Sequence, residues 1–164
     1  MNIAEFIAKK RDGGTHQPKE ISTFIKALVN NEIHDYQTSA WLMAAFLNGL
    51  SDDEATELTL AMSQSGKVLN LSSLPQPTID KHSTGGVGDT VTPILLPILS
   101  SCGFTVAKMS GRGLGFTGGT IDKLASIPGF KTNLIPDTLI KQAKKIGIAL
   151  AEQTDDLAPA DRIL

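Results

Sequence analysis

An α/β fold is expected from this sequence: an N-terminal all-helical domain of four helices, then the start of a mainly parallel α/β sheet domain that is truncated. Three observations lead there. Residues 1–66 repeat apolar positions at helical spacing between recognisable helix starts and stops. From Lys67 onward the order becomes strand, loop, helix, strand, loop, which is the grammar of a parallel sheet. Two of those loops, Lys81 to Asp89 and Ser110 to Thr120, mix glycines with Lys, Ser and Thr.

Each element has its own justification. Ile3, Phe6 and Ile7 form the apolar stripe of a first helix, stopped by Gly13-Gly14. Pro18 suits the first turn of a second helix, whose buried face is Ile21, Phe24, Ile25 and Leu28. Asp35 is the expected cap of a third, with Trp41, Leu42, Ala45 and Phe46 facing inward and Asn48-Gly49 ending it. Ser51 and Glu54 make a capping box for a fourth, running to Ser65-Gly66. The short connections predict antiparallel packing of sequence neighbours. Residues 67–79, with Pro75-Gln76-Pro77, read as a stiff linker holding the domain boundary.

The α/β segment is assigned to residues 80–153. A short strand ends near Asp80, and an apolar helix runs from about Asp89 to Ser101, with Pro93 in its first turn and Pro97 further in. Thr105 to Met109 is a buried strand, Ile121 to Ser126 a short helix, Pro128-Gly129 a turn and Pro136 to Ile146 an amphipathic helix. Ala149 to Gln153 is a further strand, and residues 154–164 return toward the helical domain.

The chemistry concentrates in the two loops. Glycine lets backbone amides approach a ligand closely, while Lys, Ser and Thr add donors. That mixture suits an oxyanion such as phosphate, with the backbone of Gly85, Gly86, Gly113, Gly118 and Gly119 lining the site. The competing reading is a pair of ordinary tight turns. Gly113-x-Gly115-x-x-Gly118 matches a dinucleotide fingerprint, and Asp137 lies near the usual offset. The match is weak, because Ser110, Arg112, Thr117 and Thr120 make the loop polar. No glycine precedes Lys-Ser or Lys-Thr, which excludes a Walker loop. In an extended segment Lys81 and Ser83 share one side and His82 takes the other. Lys81 and Ser83 then hold an anion while His82 serves as a proton donor; the bland alternative is a histidine capping a loop hydrogen bond.

Bulk properties narrow the function. A net charge of -2 argues against nucleic acid. The apolar run Pro93 to Leu99 is too short to span a bilayer, and Met1 to Arg11 is unlike a signal peptide, so no membrane role and a cytoplasmic location are expected. Cys102 reads as a buried thiol, His16 and His34 as surface residues, and Asp155-Asp156 as a solvated turn. No metal-ligand spacing is present.

The segments Lys81-His82-Ser83-Thr84-Gly85-Gly86-Val87-Gly88-Asp89, Ser110-Gly111-Arg112-Gly113-Leu114-Gly115 and Thr117-Gly118-Gly119-Thr120-Ile121-Asp122-Lys123-Leu124 resemble those of the thymidine and pyrimidine-nucleoside phosphorylases. Ser126-Ile127-Pro128-Gly129-Phe130, Gln153-Thr154 and Leu157-Ala158-Pro159-Ala160-Asp161 extend the likeness over essentially the whole chain. The resemblance implies a helical domain that also forms a homodimer, a larger α/β domain, and closure over a cleft holding phosphate and a pyrimidine nucleoside. It implies phosphorolysis to free base and (deoxy)ribose 1-phosphate with no required cofactor. Lys81, Ser83, Ser110 and Thr120 are implied phosphate ligands, Thr92 stands where relatives supply a hydroxyl, and His82 lies near the base. Backbone around Gly88 and Thr90 corresponds to a potassium-binding loop of some bacterial relatives. The pattern departs at Phe116, where the family has histidine, and at Ala125, where it has glutamate. The family's pyrimidine-recognising Arg, Ser and Lys fall beyond Leu164, so the chain is expected to be an N-terminal part, with its preference for uridine or thymidine unread. Two alternatives accompany this reading: an inactive phosphate-binding or dimerising remnant, and a related phosphoribosyltransferase, whose acidic pyrophosphate pattern is not seen.

Overall fold

The computed structural model describes residues 1–82, 90–113 and 118–164 and divides into two units, Met1–Val68 with Asp155–Leu164 and Leu69–Thr154. In the first unit, α1 (Ile3–Arg11) begins where Asn2 Oδ1 accepts the amides of Ala4 and Glu5. α2 (Pro18–Val29) has Pro18 in its first turn and buries Ile21, Phe24, Ile25 and Leu28. α3 (Asp35–Asn48) is capped by His34, one residue before the expected Asp35, and ends at Gly49 with φ +73°. α4 (Asp52–Ser63) carries the capping box: Ser51 Oγ accepts the Glu54 amide at 3.2 Å, and the Ser51 amide donates to Glu54 Oε2 at 2.9 Å.

The core of this unit joins Phe6, Phe24, Ile25, Leu28, Ile33 and Trp41. Ring centroids lie 4.8 Å apart for Phe6 and Phe24 and 4.7 Å for Phe24 and Trp41. Several expectations change here. The packed pairs are α1 with α3 and α2 with α4, not sequence neighbours. Phe46 is 81% exposed and Ala44 takes the buried position, because α3 is apolar on most sides and its stripe does not choose the inner face. His16 is buried: its ring stacks on Phe6 with centroids 3.7 Å apart, and its Nε2 accepts the Trp41 indole N–H at 3.2 Å. Glu54 is 1% exposed and receives the Lys10 ammonium at 2.8 Å and the His16 amide at 2.7 Å.

The second unit is built from β1 (Thr78–Ile79), α5 (Val91–Ser101), β2 (Thr105–Ser110), α6 (Thr120–Ala125), α7 (Pro136–Ile146) and β3 (Ile148–Glu152). The strands form a parallel sheet in the order β1-β2-β3, with Ile79 opposite Val106 and Ser110 opposite Glu152. Strand alternation sends successive side chains to opposite faces. Val106 and Leu150 meet Leu96 of α5 and Leu124 of α6 on one face. Ala149 and Ala151 meet Leu139 and Ala143 of α7 on the other, with Ala107 and Met109 beside them.

Leu74 is buried in the α7-side core, so most of the stretch expected to be a stiff linker, residues 69–79, belongs to this unit, and the division falls after Val68. α7 matches its expected bounds, beginning at Pro136 and closing at Gly147 with φ +75°. Cys102, expected to be buried, is exposed, because it caps the far end of α5 after the apolar run has stopped. Finally, α8 (Pro159–Ile163) contributes Ala160 to the core of the first unit. Asp155 and Asp156 form an exposed turn as expected; the Asp156 carbonyl accepts the Lys67 amide at 2.7 Å and its carboxylate pairs with Lys67 Nζ at 2.8 Å.

Candidate functional site

In a parallel sheet every strand ends on the same edge, and the loops there converge. β1 runs into Asp80-Lys81-His82, β2 into Gly111-Arg112-Gly113 and β3 into Gln153-Thr154. The parallel register, extended two residues past Ile79 and Val106, brings Lys81 opposite Lys108. Lys108 Nζ spans that gap, donating to the Lys81 carbonyl at 2.6 Å and to Asp80 Oδ1 at 3.3 Å. Only 6% of Lys108 is exposed. A buried ammonium needs such partners, since desolvating an unpaired charge is costly.

Sequence reasoning missed Lys108. Its signal was available: a lysine alternating with Val106 and Ser110 in an otherwise apolar strand points to one face, and that face carries a polar task toward the strand end. Ser110, the last residue of β2, shares that face with Val106 and Lys108 by the same alternation, and α5 and α6 cover it. α5 follows β1 through a crossover, so its first turn lies at the edge where the strands end. Thr92, in that turn, is fully buried, and its Oγ1 has no hydrogen-bond partner among the described residues. Thr120 opens α6 and is also buried. Thus Ser110, Thr92 and Thr120 share a face and an edge with Lys108. Lys81 is half-buried, His82 is exposed, and Thr90 caps α5. Ser83, Gly85, Gly86, Gly88 and Phe116 lie outside the described residues.

The second loop is fastened by an acid to which the sequence alone assigns no role. Asp122 Oδ2 accepts the amides of Gly113 at 2.7 Å and Gly119 at 2.9 Å. Asp122 Oδ1 accepts Arg112 Nη1 at 3.0 Å, and Arg112 Nη2 donates to Glu152 Oε2 at 3.0 Å. The amides of Gly113 and Gly119 were expected to line an anion nest. They are already filled by an internal carboxylate. Those donors, first the amides of Gly113 and Gly119 and then Arg112, hold the Asp122 carboxyl below its usual range. At position 119 a Cβ would come within 2.6 Å of Gly113 N and 2.8 Å of the Arg112 carbonyl carbon, so close backbone approach requires glycine there. At Gly118 the nearest atom to such a Cβ is 3.5 Å away, and the Gly118 carbonyl accepts Lys123 Nζ at 2.6 Å.

Among the described residues no group of three His, Cys, Asp or Glu side chains is placed to hold a metal ion, and no helix is long and apolar enough to cross a membrane.

Comparison with known proteins bears out the likeness that the motifs carry. The chain is 48% identical to thymidine phosphorylase of Rhizobium meliloti over 160 residues, covering 98% of this chain and 36% of that protein. It is 48% identical to pyrimidine-nucleoside phosphorylase of Geobacillus stearothermophilus over 164 residues, covering 100% of this chain and 38% of that protein. The chain therefore spans little more than a third of the length of the curated relatives it matches, in their N-terminal part. Anthranilate phosphoribosyltransferase from Thermus thermophilus superposes with a TM-score of 0.77 at 21% identity, covering 100% of this chain and 49% of that one, which is a likeness of fold. The model of the glycosyl transferase family helical bundle domain matches residues 4–66 and that of its a/b domain matches residues 75–164, so the chain belongs to the glycosyl transferase family.

Proposed function

We propose that the chain is the phosphate-binding part of a pyrimidine-nucleoside phosphorylase. What supports this reading is the topology: Ser110 alternates with Lys108 on β2, Thr92 and Thr120 are buried one turn before Leu96 and Leu124 of the helices that cover that face, and the Thr92 hydroxyl has no partner among the described residues. A fully buried hydroxyl left without a partner costs about 1–3 kcal/mol, and a bound oxyanion would offset that cost. Lys81, Ser83, Ser110, Thr92 and Thr120 are assigned to the anion, and Lys108 joins them on the strength of its position. His82, next to Lys81 and exposed, is assigned to the departing base.

Glycosidic cleavage develops positive character on the sugar. A phosphate fixed beneath it stabilises that charge and is positioned to attack the anomeric carbon as the bond to the base breaks. The base leaves with the electron pair and takes a proton or hydrogen bonds from His82, help typically worth about 10²–10⁴ in rate. The potassium role that the resemblance gives to Gly88 and Thr90 belongs to this proposal, and no step depends on it.

Phosphorolysis of thymidine and uridine by the 164-residue chain, followed by release of free base, tests the assignment. Because the relatives are nearly three times as long, a second reading has its own support: a piece that binds phosphate without turning over nucleoside. Base release at an enzyme-like rate rejects that reading; phosphate binding without release favours it. The helical unit also exposes Tyr36, Met43, Phe46 and Leu47 on α3, an apolar surface that supports a homodimer through this unit. Phe46→Asp is then expected to shift sedimentation toward the monomer.

A further inference from the structure

We infer that Asp122 is the positioning residue of the second glycine-rich loop, fastening Gly113 to Gly119 and thereby setting the separation of the Ser110 and Thr120 hydroxyls. The inference rests on the phosphate reading above. One carboxylate oxygen takes both amides, so the chain leaving β2 and the chain entering α6 are held to a single atom. Ser110 lies three residues before Gly113, and Thr120 follows Gly119 directly. The carboxylate is itself anchored, because its helix buries Ile121 and Leu124 in the core on either side of it. Its other oxygen takes Arg112, whose second nitrogen reaches Glu152 on β3, and Glu152 Oε2 also accepts the Thr132 hydroxyl at 3.0 Å. Gly113 and Gly119 are thus tied to the sheet before any ligand arrives. At Gly119 there is no room for a Cβ, so the two backbone segments close to contact. Preformed geometry of this kind spares a ligand the cost of ordering the loop.

The sign of a charge-removing substitution separates positioning from plain electrostatics. Asp122→Asn removes a negative charge near an anion site, which by charge alone tightens phosphate binding. Loss of the clasp weakens it, since an amide offers one acceptor and turns an N–H₂ toward donors. The experiment is calorimetric titration of inorganic phosphate into the 164-residue chain and into D122N, with far-UV circular dichroism on the same samples. The expected result is a folded D122N with phosphate affinity lower by about tenfold or more. A folded D122N that binds as tightly as the parent, or more tightly, overturns the inference and leaves the phosphate reading standing. A parent chain that does not bind phosphate overturns that reading itself. Should D122N fail to fold, Glu152→Gln takes its place: it also removes a negative charge, so affinity reduced by about threefold supports the brace, and unchanged or increased affinity overturns it.

Discussion

Glu54→Gln breaks the most deeply buried ion pair described in the helical unit. The Glu54 carboxylate, 1% exposed, accepts the Lys10 ammonium, the His16 amide and the Ser51 amide at 2.8, 2.7 and 2.9 Å. Burial is the largest single influence on this carboxyl and pushes it up. The His16 amide, Lys10 and the Ser51 amide together outweigh burial and bring it from the ordinary 4.5 to about 2. At about 1.4 kcal/mol per pH unit, that gap is worth about 3 kcal/mol of folding stability. Removing one partner of a buried pair independently gives about 3–5 kcal/mol, because Lys10 loses its carboxylate and keeps the Gly49 carbonyl at 3.3 Å. Since the folded value lies below the unfolded one, the stabilisation is complete above pH 4.5 and is lost as pH falls toward 2. The chain has one tryptophan, Trp41, buried in the same core, so its fluorescence reports urea unfolding of this unit. Glu54→Gln is expected to lose about 3 kcal/mol at pH 7, and the difference from the parent should shrink as pH falls below 4.5. A loss under about 1 kcal/mol, or a difference independent of pH over that range, refutes the reasoning.

Three further outcomes are expected. Gly119→Ala forces a methyl against the Gly113 amide and should destabilise the second unit by about 1–3 kcal/mol in urea unfolding while weakening phosphate binding; parental stability would contradict the close approach. Thr92→Val removes a buried hydroxyl that has no partner among the described residues, so stability should hold or rise by about 1 kcal/mol while phosphate affinity falls, a divergence that calorimetry and denaturation measure together. Burial, its largest influence, pulls the His16 imidazole below 6.5, so the neutral ring belongs to the fold; Trp41-monitored stability should decline as pH drops below 6.5, and His16→Gln should lack that step.

Much of the architecture was legible in local signals. Pro136 and Gly147 bracket α7 because one fixes a helical φ without needing an N–H and the other adopts φ +75° without strain. Ser51 and Glu54 announced α4, and the apolar run from Thr105 announced β2, which extends one residue further to Ser110. What escaped depends on partners distant in sequence. His16 is buried because Trp41 supplies a donor, and Lys10 because Glu54 supplies a charge. Composition pointed to two loops able to offer glycine amides to an anion, but not to which anion. At Gly113 and Gly119 the anion is Asp122, from the chain itself. Lys108 was hidden inside a strand that read as core.

A crystal structure of the chain grown with inorganic phosphate addresses the site itself. The expected result is a single anion within hydrogen-bonding distance of Lys81 Nζ, Ser110 Oγ and Thr120 Oγ1. Phosphate bound elsewhere, or these three groups too far apart to share one ion, would contradict the assignment.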